Sequence, residues 1–173
     1  MKLKKIICWP PLLAGIGAGV TIAILSYITF QSTLAGTTYG LWLAVSFGSS
    51  VVVVFGYPDN EFAQPKNVLF GHLLCALIGI IFVTLFKISQ DRTIFFLAIG
   101  LAVGLAVMLM MALKIAHPPA GGNTIVVMLA QDSFQFLIFP IMVGAVTIII
   151  GGIIYNRFIL KKKYPLKWFK KNF

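Results

Sequence analysis

The sequence predicts an all-α fold, a polytopic bundle of about six helical segments embedded in a membrane. Hydrophobic residues make up 60% of the 173 residues and charged residues only 10%, whereas a soluble domain carries about a quarter charged residues. The positive charges lie at the two ends and in short loops between apolar runs. This placement is typical of membrane orientation and not of a basic groove, so we expect no nucleic-acid partner.

Five apolar runs approach the length of about 20 residues that a membrane-spanning helix needs. They cover residues 11–30, 39–57, 68–86, 94–113 and 134–155. A sixth stretch, 115–131, has an apolar core too short to span as a regular helix, so its sequence alone leaves open whether it crosses or re-enters. Only its crossing puts the lysine-rich tail on the side favoured by the positive-inside bias. We therefore predict six crossings with both termini cytoplasmic, in a membrane that we expect to be the bacterial inner membrane.

The basic tail, residues 158–173, is predicted to follow a single transmembrane domain within the whole chain, 1–173. Its lysines and Trp168 suit the surface of a membrane with anionic lipid. Membrane lipid is therefore one expected partner of this segment.

A weak internal repeat divides the chain into two sets of three segments, 10–87 and 93–157. Gly48-Ser49-Ser50 and Gly122-Asn123-Thr124 lie 74 positions apart, and each precedes a β-branched apolar run. An odd number of crossings in each set turns the second set upside down. Inverted repeats of this kind are typical of transporters, whose sites lie where interrupted helices meet.

Four glycines form small-xxx-small patterns, which allow membrane helices to approach closely. They are Gly15 and Gly19 in the first segment and Gly100 and Gly104 in the fourth. These glycines are predicted either to bring the two halves together or to mark a subunit interface. We expect a homo-oligomer, because a chain of 18.9 kDa is small for a complete transport pathway.

The segment from His117 to Thr124 is predicted to interrupt a helix at membrane depth. Its two prolines lack backbone donors, and its glycines allow close backbone approach. Irregular backbone in a bilayer needs shelter from protein or a water-filled cavity. A helix that starts there, and another at Gly48–Ser50, would each direct free N–H groups toward an anion. The predicted substrate-binding residues are His117, Pro118, Pro119, Gly121, Gly122, Asn123, Thr124, Gly48, Ser49, Ser50 and His72.

Two functional interpretations stay open at this point. The first is a transporter or channel for a small anion, and the second is a non-transporting scaffold or a subunit of a larger complex, in which the Pro-Gly segment only bends the chain. No catalytic Ser/His/Asp set, paired carboxylates, metal-ligand spacing or phosphate loop is present in the sequence. We therefore expect neither enzymatic activity nor a metal or cofactor.

An ordered set of short motifs adds a resemblance to this interpretation. The motifs are Phe47-Gly48-Ser49-Ser50, Pro58-Asp59, Ala63-Gln64-Pro65, Asn67-Val68, Gly71-His72, Gly79 and His117-Pro118-Pro119-Ala120-Gly121. Together they resemble the HPP family of small integral membrane proteins. The resemblance implies a compact bundle described as four-spanning, fewer than the six crossings that the charges predict. Plastid and cyanobacterial members are associated with nitrite transport, so the resemblance implies nitrite or a similar small anion as the substrate.

Overall fold

The computed structural model describes residues 9–31, 39–84, 92–131 and 134–166, most of them helical. The predicted all-α bundle of six segments is confirmed. The helices are α1 (Trp9–Gln31), α2 (Tyr39–Gly56), α3 (Pro65–Thr84), α4 (Arg92–Ala112), α5 (Gly121–Ala130) and α6 (Val143–Ile153). Short 3-10 turns, Glu61–Ala63 and Pro118–Ala120, precede α3 and α5, and wider helical turns, Leu137–Met142 and Ile154–Ile159, flank α6.

Four stretches of the described chain are helical, long and apolar enough to cross a membrane. They are Pro10–Thr29, Pro65–Thr84, Ile94–Ala112 and Leu137–Ile159. Such helices suit a bilayer because their backbone donors and acceptors are paired within the helix. The four long stretches match the number that the family resemblance implies. The other two segments of the predicted six are α2, with 18 residues, and α5, with ten.

The fifth segment is a composite of irregular and helical backbone. The ten residues of α5 span about 15 Å, half of a hydrocarbon core. The chain nevertheless follows α3 over most of its length. Asn67 Nδ2, near the start of α3, donates to the Ala116 carbonyl at 2.9 Å, and a Cβ placed on Gly79 would lie 3.0 Å from Val127 Cβ. Segment five therefore runs in the same direction as α3.

The start of α1 and the end of segment six lie at the same side of the bundle. α1 is antiparallel to α6, because Gly17 packs against Tyr155 while Thr21 packs against Gly151. The Tyr155 hydroxyl lies 3.5 Å from the Pro10 carbonyl oxygen. This arrangement is the one that an even number of crossings requires.

The glycine contacts between α3 and segment five resemble those between α6 and α2. Gly71 packs against Ala120 as Gly144 packs against Phe47, and Gly79 packs against Val127 as Gly152 packs against Val54. Each residue of the second set lies 73 positions from its counterpart in the first. The predicted spacing of 74, taken from Gly48 and Gly122, is one residue too long.

The glycines of the small-xxx-small patterns do not lie between helices of the described chain. A Cβ on Gly15, Gly19, Gly100 or Gly104 would meet nothing within 4 Å. The prediction that they bring the two halves together is therefore wrong, while the subunit interface stays a prediction. Instead, α4 turns a row of buried alanines, Ala98, Ala102 and Ala106, toward α3 and α5. Alanines four residues apart share a helix face, so glycines two positions away point outward.

The first part of the basic tail folds back onto the loop before α3. Tyr164 is buried and its hydroxyl donates to the Ala63 carbonyl at 2.7 Å; the burial raises the pKa of the phenol well above its ordinary value. The Leu166 N–H donates to Gln64 Oε1. The lysines Lys2, Lys4, Lys5 and Lys87 and the tail residues 167–173 lie outside the described residues, so lipid binding by the tail stays a prediction.

Candidate functional site

Four buried polar side chains meet inside the bundle. Ser50 comes from α2, His72 from α3, His117 from the end of the α4–α5 connection and Asn123 from α5. Each of them has no exposed surface. All four belong to the predicted site, so the fold brings together residues that lie up to 73 positions apart in the chain.

Hydrogen bonds join the four side chains in a single series. Ser50 Oγ lies 2.8 Å from His72 Nε2 and 2.9 Å from His117 Nε2. The second ring nitrogen of His72, Nδ1, lies 2.7 Å from Asn123 Nδ2. The second ring nitrogen of His117, Nδ1, lies 2.7 Å from the carbonyl oxygen of Phe62 in the loop before α3.

The partners determine which ring nitrogens carry protons in the neutral cluster. A carbonyl only accepts, so His117 Nδ1 donates to Phe62, and His117 Nε2 must accept from the Ser50 hydroxyl. The Asn123 amide nitrogen also lies 3.4 Å from the His72 carbonyl oxygen, which supports its orientation as a donor to His72 Nδ1. His72 then carries its proton on Nε2 and donates it to Ser50.

The Asn123 side chain leaves one strong acceptor without a partner. Its Oδ1 is buried and makes no hydrogen bond in the described chain. Leaving a buried polar atom unpaired costs about 1–3 kcal/mol, and such atoms are rare in folded proteins. Asn156 Oδ1, near the end of segment six, is in the same state, but its amide nitrogen only bonds carbonyls of Val54 and Gly152. Asn123 is therefore the unpaired group that belongs to the histidine cluster.

Three contacts hold the interrupted segment against α2 and α3. Ser46 Oγ donates to the Pro119 carbonyl at 3.0 Å, and Asn67 Nδ2 donates to the Ala116 carbonyl. Gly71 permits the approach of His117, since a Cβ there would lie 2.9 Å from His117 Cβ. Pairing these carbonyls with side chains satisfies backbone that no helix satisfies, which is what irregular backbone in a membrane requires.

Two groups border the cluster without joining the series. Thr124 Oγ1 donates to the Cys75 carbonyl at 2.9 Å, which fixes α5 against α3. The ring of Phe47 lies 4.8 Å, centroid to centroid, from the ring of His72 and covers it with apolar surface. Among the described residues, no three His, Cys, Asp or Glu side chains come together to hold a metal ion.

The predicted helix start at Gly48–Ser50 is wrong. These residues lie inside α2, which is continuous from Tyr39 to Gly56. The Ser49 hydroxyl donates to the Ser46 carbonyl, so a serine can be satisfied within the helix and need not end it. Ser50 Oγ also lies 3.0 Å from this carbonyl, but its one proton is directed to His117. Only Ser50 faces the cluster; Ser49 is exposed and Gly48 half-exposed.

The second predicted helix start does exist, but it offers few free N–H groups. A 3-10 turn leads into α5 at Gly121. Pro118 and Pro119 have no N–H, and those of Ala120 and Gly121 bond the carbonyls of His117 and Pro118. Side chains, and not two facing helix ends, therefore supply the polar groups of the site. Pro118 is exposed and Gly121 and Gly122 are half-buried, so they shape the break without entering the cluster.

Three contributors to the site were missed in the sequence. The Phe62 carbonyl could not be predicted, because every residue has a backbone carbonyl and the sequence does not distinguish this one. Asn67 lies just before the predicted apolar run 68–86, but α3 begins at Pro65, and the Asn67 amide donates to the Ala116 carbonyl. Ser46 could have been found, because it precedes Ser50 by four residues and so shares its helix face.

Comparisons with known proteins agree with this architecture. The profile of the HPP transmembrane region matches residues 5–165. One transmembrane protein of Dictyostelium discoideum is 35% identical over 128 residues, 71% of this chain and 44% of the relative. A second from the same organism is 30% identical over 155 residues, 86% of this chain and 48% of the relative. The chain spans about half the length of these relatives.

No solved structure matches the chain. The family profile nevertheless covers every described helix and the whole histidine cluster. The chain belongs to the HPP transmembrane family.

Proposed function

We propose that the chain is a membrane transporter or channel for a small anion, with nitrite as the substrate on the strength of the family resemblance. The observation that carries the proposal is the buried series Asn123–His72–Ser50–His117, which holds two ionisable rings inside a mainly apolar core. Polar and ionisable side chains inside a membrane are costly, and those that occur generally mark substrate or ion pathways.

The chemistry of the cluster favours a small polar ligand. Imidazole N–H, hydroxyl and amide groups donate to one another in the unloaded cluster, and the same donors can turn to a compact anion without a buried lysine or arginine. Within the described chain, the buried ionisable side chains besides the two histidines are Cys75, Tyr155 and Tyr164. The two tyrosine hydroxyls contact the Pro10 and Ala63 carbonyls and not the cluster. A site of this kind binds without the strong charge pairing that would hold an anion permanently.

We also propose that the two sets of three segments form an inverted repeat. The support is the exchange of partners between the glycine contacts of α3 with α5 and of α6 with α2. The cluster then lies where the middle helices of both sets, α2 and α5, meet α3, the position in which transporters of this plan bind substrate. Cytoplasmic termini, an inner-membrane location and a homo-oligomer belong to the same proposal.

The test is nitrite uptake by the purified full chain in liposomes. Wild type should give saturable uptake above protein-free vesicles. His72→Ala should lower the initial rate by about 10- to 100-fold, because it leaves Ser50 and Asn123 without a partner that is worth about 1–3 kcal/mol. Ser49→Ala is the matched control, since Ser49 is exposed on the same helix, and it should retain the rate.

Two results would contradict the proposal. One is wild-type uptake no faster than in empty vesicles under any nitrite gradient, which would favour the non-transporting scaffold. The other is a folded His72→Ala protein, with unchanged elution and helicity, that transports as fast as Ser49→Ala.

A further inference from the structure

We propose that the anion occupies this site only together with a proton, because protonation of His72 at Nδ1 turns the Asn123 amide from an acceptor into a donor toward the substrate. The inference rests on the proposed function and adds that transport of the anion is coupled to transport of a proton. It predicts proton–anion symport in place of passage of the bare anion.

In the arrangement described, the site is unsuited to an anion. Asn123 donates through Nδ2 to His72 Nδ1, so its free group is the acceptor Oδ1. An acceptor oxygen repels an anion and prefers a donor such as water or an acid proton. The buried oxygen has no partner in the described chain, which marks the place where a ligand can bind.

A proton on His72 Nδ1 reverses this preference. The protonated nitrogen can no longer accept from Asn123 Nδ2, and it becomes a donor. A half-turn of the Asn123 amide then brings Oδ1 onto the Nδ1–H group and directs the NH₂ to the former position of Oδ1. One proton and one anion have been bound and no other bond has formed or broken, so the loaded site carries no added charge.

The remaining members of the series give the proton a route to the loop side. His72 Nε2–H can pass its proton to Ser50 Oγ as Ser50 passes its own to His117 Nε2, over distances of 2.8 Å and 2.9 Å. His72 then keeps the new proton on Nδ1 as a neutral ring, and His117 holds two protons. The His117 Nδ1–H group faces Phe62 in the loop, where the second proton can leave. The reverse sequence brings a proton in.

The surroundings contain few other groups that could titrate in place of the histidines. The described faces of α2 (46–56), α5 and α6 carry no ionisable side chain. α3 carries Lys66 at its start and Cys75, whose thiol contacts Met110. Glu61 and Lys114 in the adjoining loops are exposed. Within the described chain, none of these four side chains hydrogen-bonds to either ring.

The test measures protons and nitrite together. Liposomes containing the full chain and an internal pH dye receive an inward nitrite gradient, with the membrane potential held at zero by potassium and valinomycin; protein-free vesicles give the background from acid that crosses the lipid. Wild type should acidify the lumen with one proton per nitrite, at a rate that an imposed potential does not change.

Ser50→Ala interrupts the series between the two rings and should lower nitrite-driven acidification at least tenfold, while Ser49→Ala keeps the wild-type ratio of protons to nitrite. Nitrite entry that follows the membrane potential and carries no proton would overturn the inference and leave the proposed function standing. Absence of nitrite entry in wild type would overturn both. The wild-type ratio and its response to potential decide the question even if Ser50→Ala does not fold.

Discussion

The pair α3/α5 and the pair α6/α2 share their packing and differ in their chemistry. In each pair two glycines, eight residues apart, contact side chains of the partner helix or of the turn before it, and these partners are also 73 positions apart between the pairs. Only the first pair carries a histidine, His72 of α3: Ala145, 73 positions later in α6, is buried and apolar. The backbone arrangement is therefore common to both pairs, while the histidine at the centre of the polar cluster belongs to one of them.

The equivalence also explains how one ring receives two partners. Ser50 and Asn123 lie 73 positions apart, and they contact opposite nitrogens of His72. Two positions with this spacing thus contact the same side chain, His72, whereas the residue 73 positions after His72 is an alanine. Because His72 has different partners at its two nitrogens, the series has a direction, from Asn123 toward the Phe62 loop.

The largest loss of stability is expected from substitutions of the packed glycines. Gly79→Ala places a Cβ 2.9 Å from the Thr124 carbonyl oxygen, and Gly152→Ala meets Val54 in the equivalent contact. Each substitution should lower the free energy of unfolding by about 1–3 kcal/mol, since overpacking forces neighbours to move. Denaturation in detergent, followed by circular dichroism, measures the change.

Gly100→Ala is the control for both variants, because its Cβ would meet nothing within 4 Å. We expect its effect to stay within about 0.5 kcal/mol. If Gly79→Ala were costly and Gly152→Ala were as mild as Gly100→Ala, the packing of the two pairs would not be equivalent and the comparison would fail.

A smaller effect is expected from the contact between the tail and the loop before α3. Tyr164→Phe removes the hydroxyl that bonds the Ala63 carbonyl, next to the residue whose carbonyl receives His117. The loss should be about 1 kcal/mol in the free energy of unfolding, the usual net value of one hydrogen bond. Tyr57→Phe, at an exposed tyrosine of the same loop, should change nothing. Equal stability of the two variants would show that the tail does not fasten the loop.

Hydropathy and charge were sufficient to predict the membrane bundle, because the bilayer restricts the chain to helices of defined length. They also directed attention to His72, His117, Ser50 and Asn123, since polar residues within apolar runs are few. The contacts among these residues depend on tertiary packing that no spacing encodes. The helix start at Gly48–Ser50 was wrong for a local reason, because a turn-forming composition does not reveal that the Ser49 hydroxyl donates to the Ser46 carbonyl within a continuous helix.

The most direct test is ¹⁵N NMR of histidine-labelled protein, which measures which ring nitrogens carry protons. The chain has two histidines, and the account requires their hydrogen-bond series to respond to the anion. With only four ring nitrogens, the spectrum should show His72 protonated on Nε2 and His117 on Nδ1 in the absence of nitrite. Saturating nitrite should place a proton on His72 Nδ1 and add one proton to the pair of rings, with Ser49→Ala behaving as wild type. Rings whose proton positions are unchanged by nitrite would contradict the account.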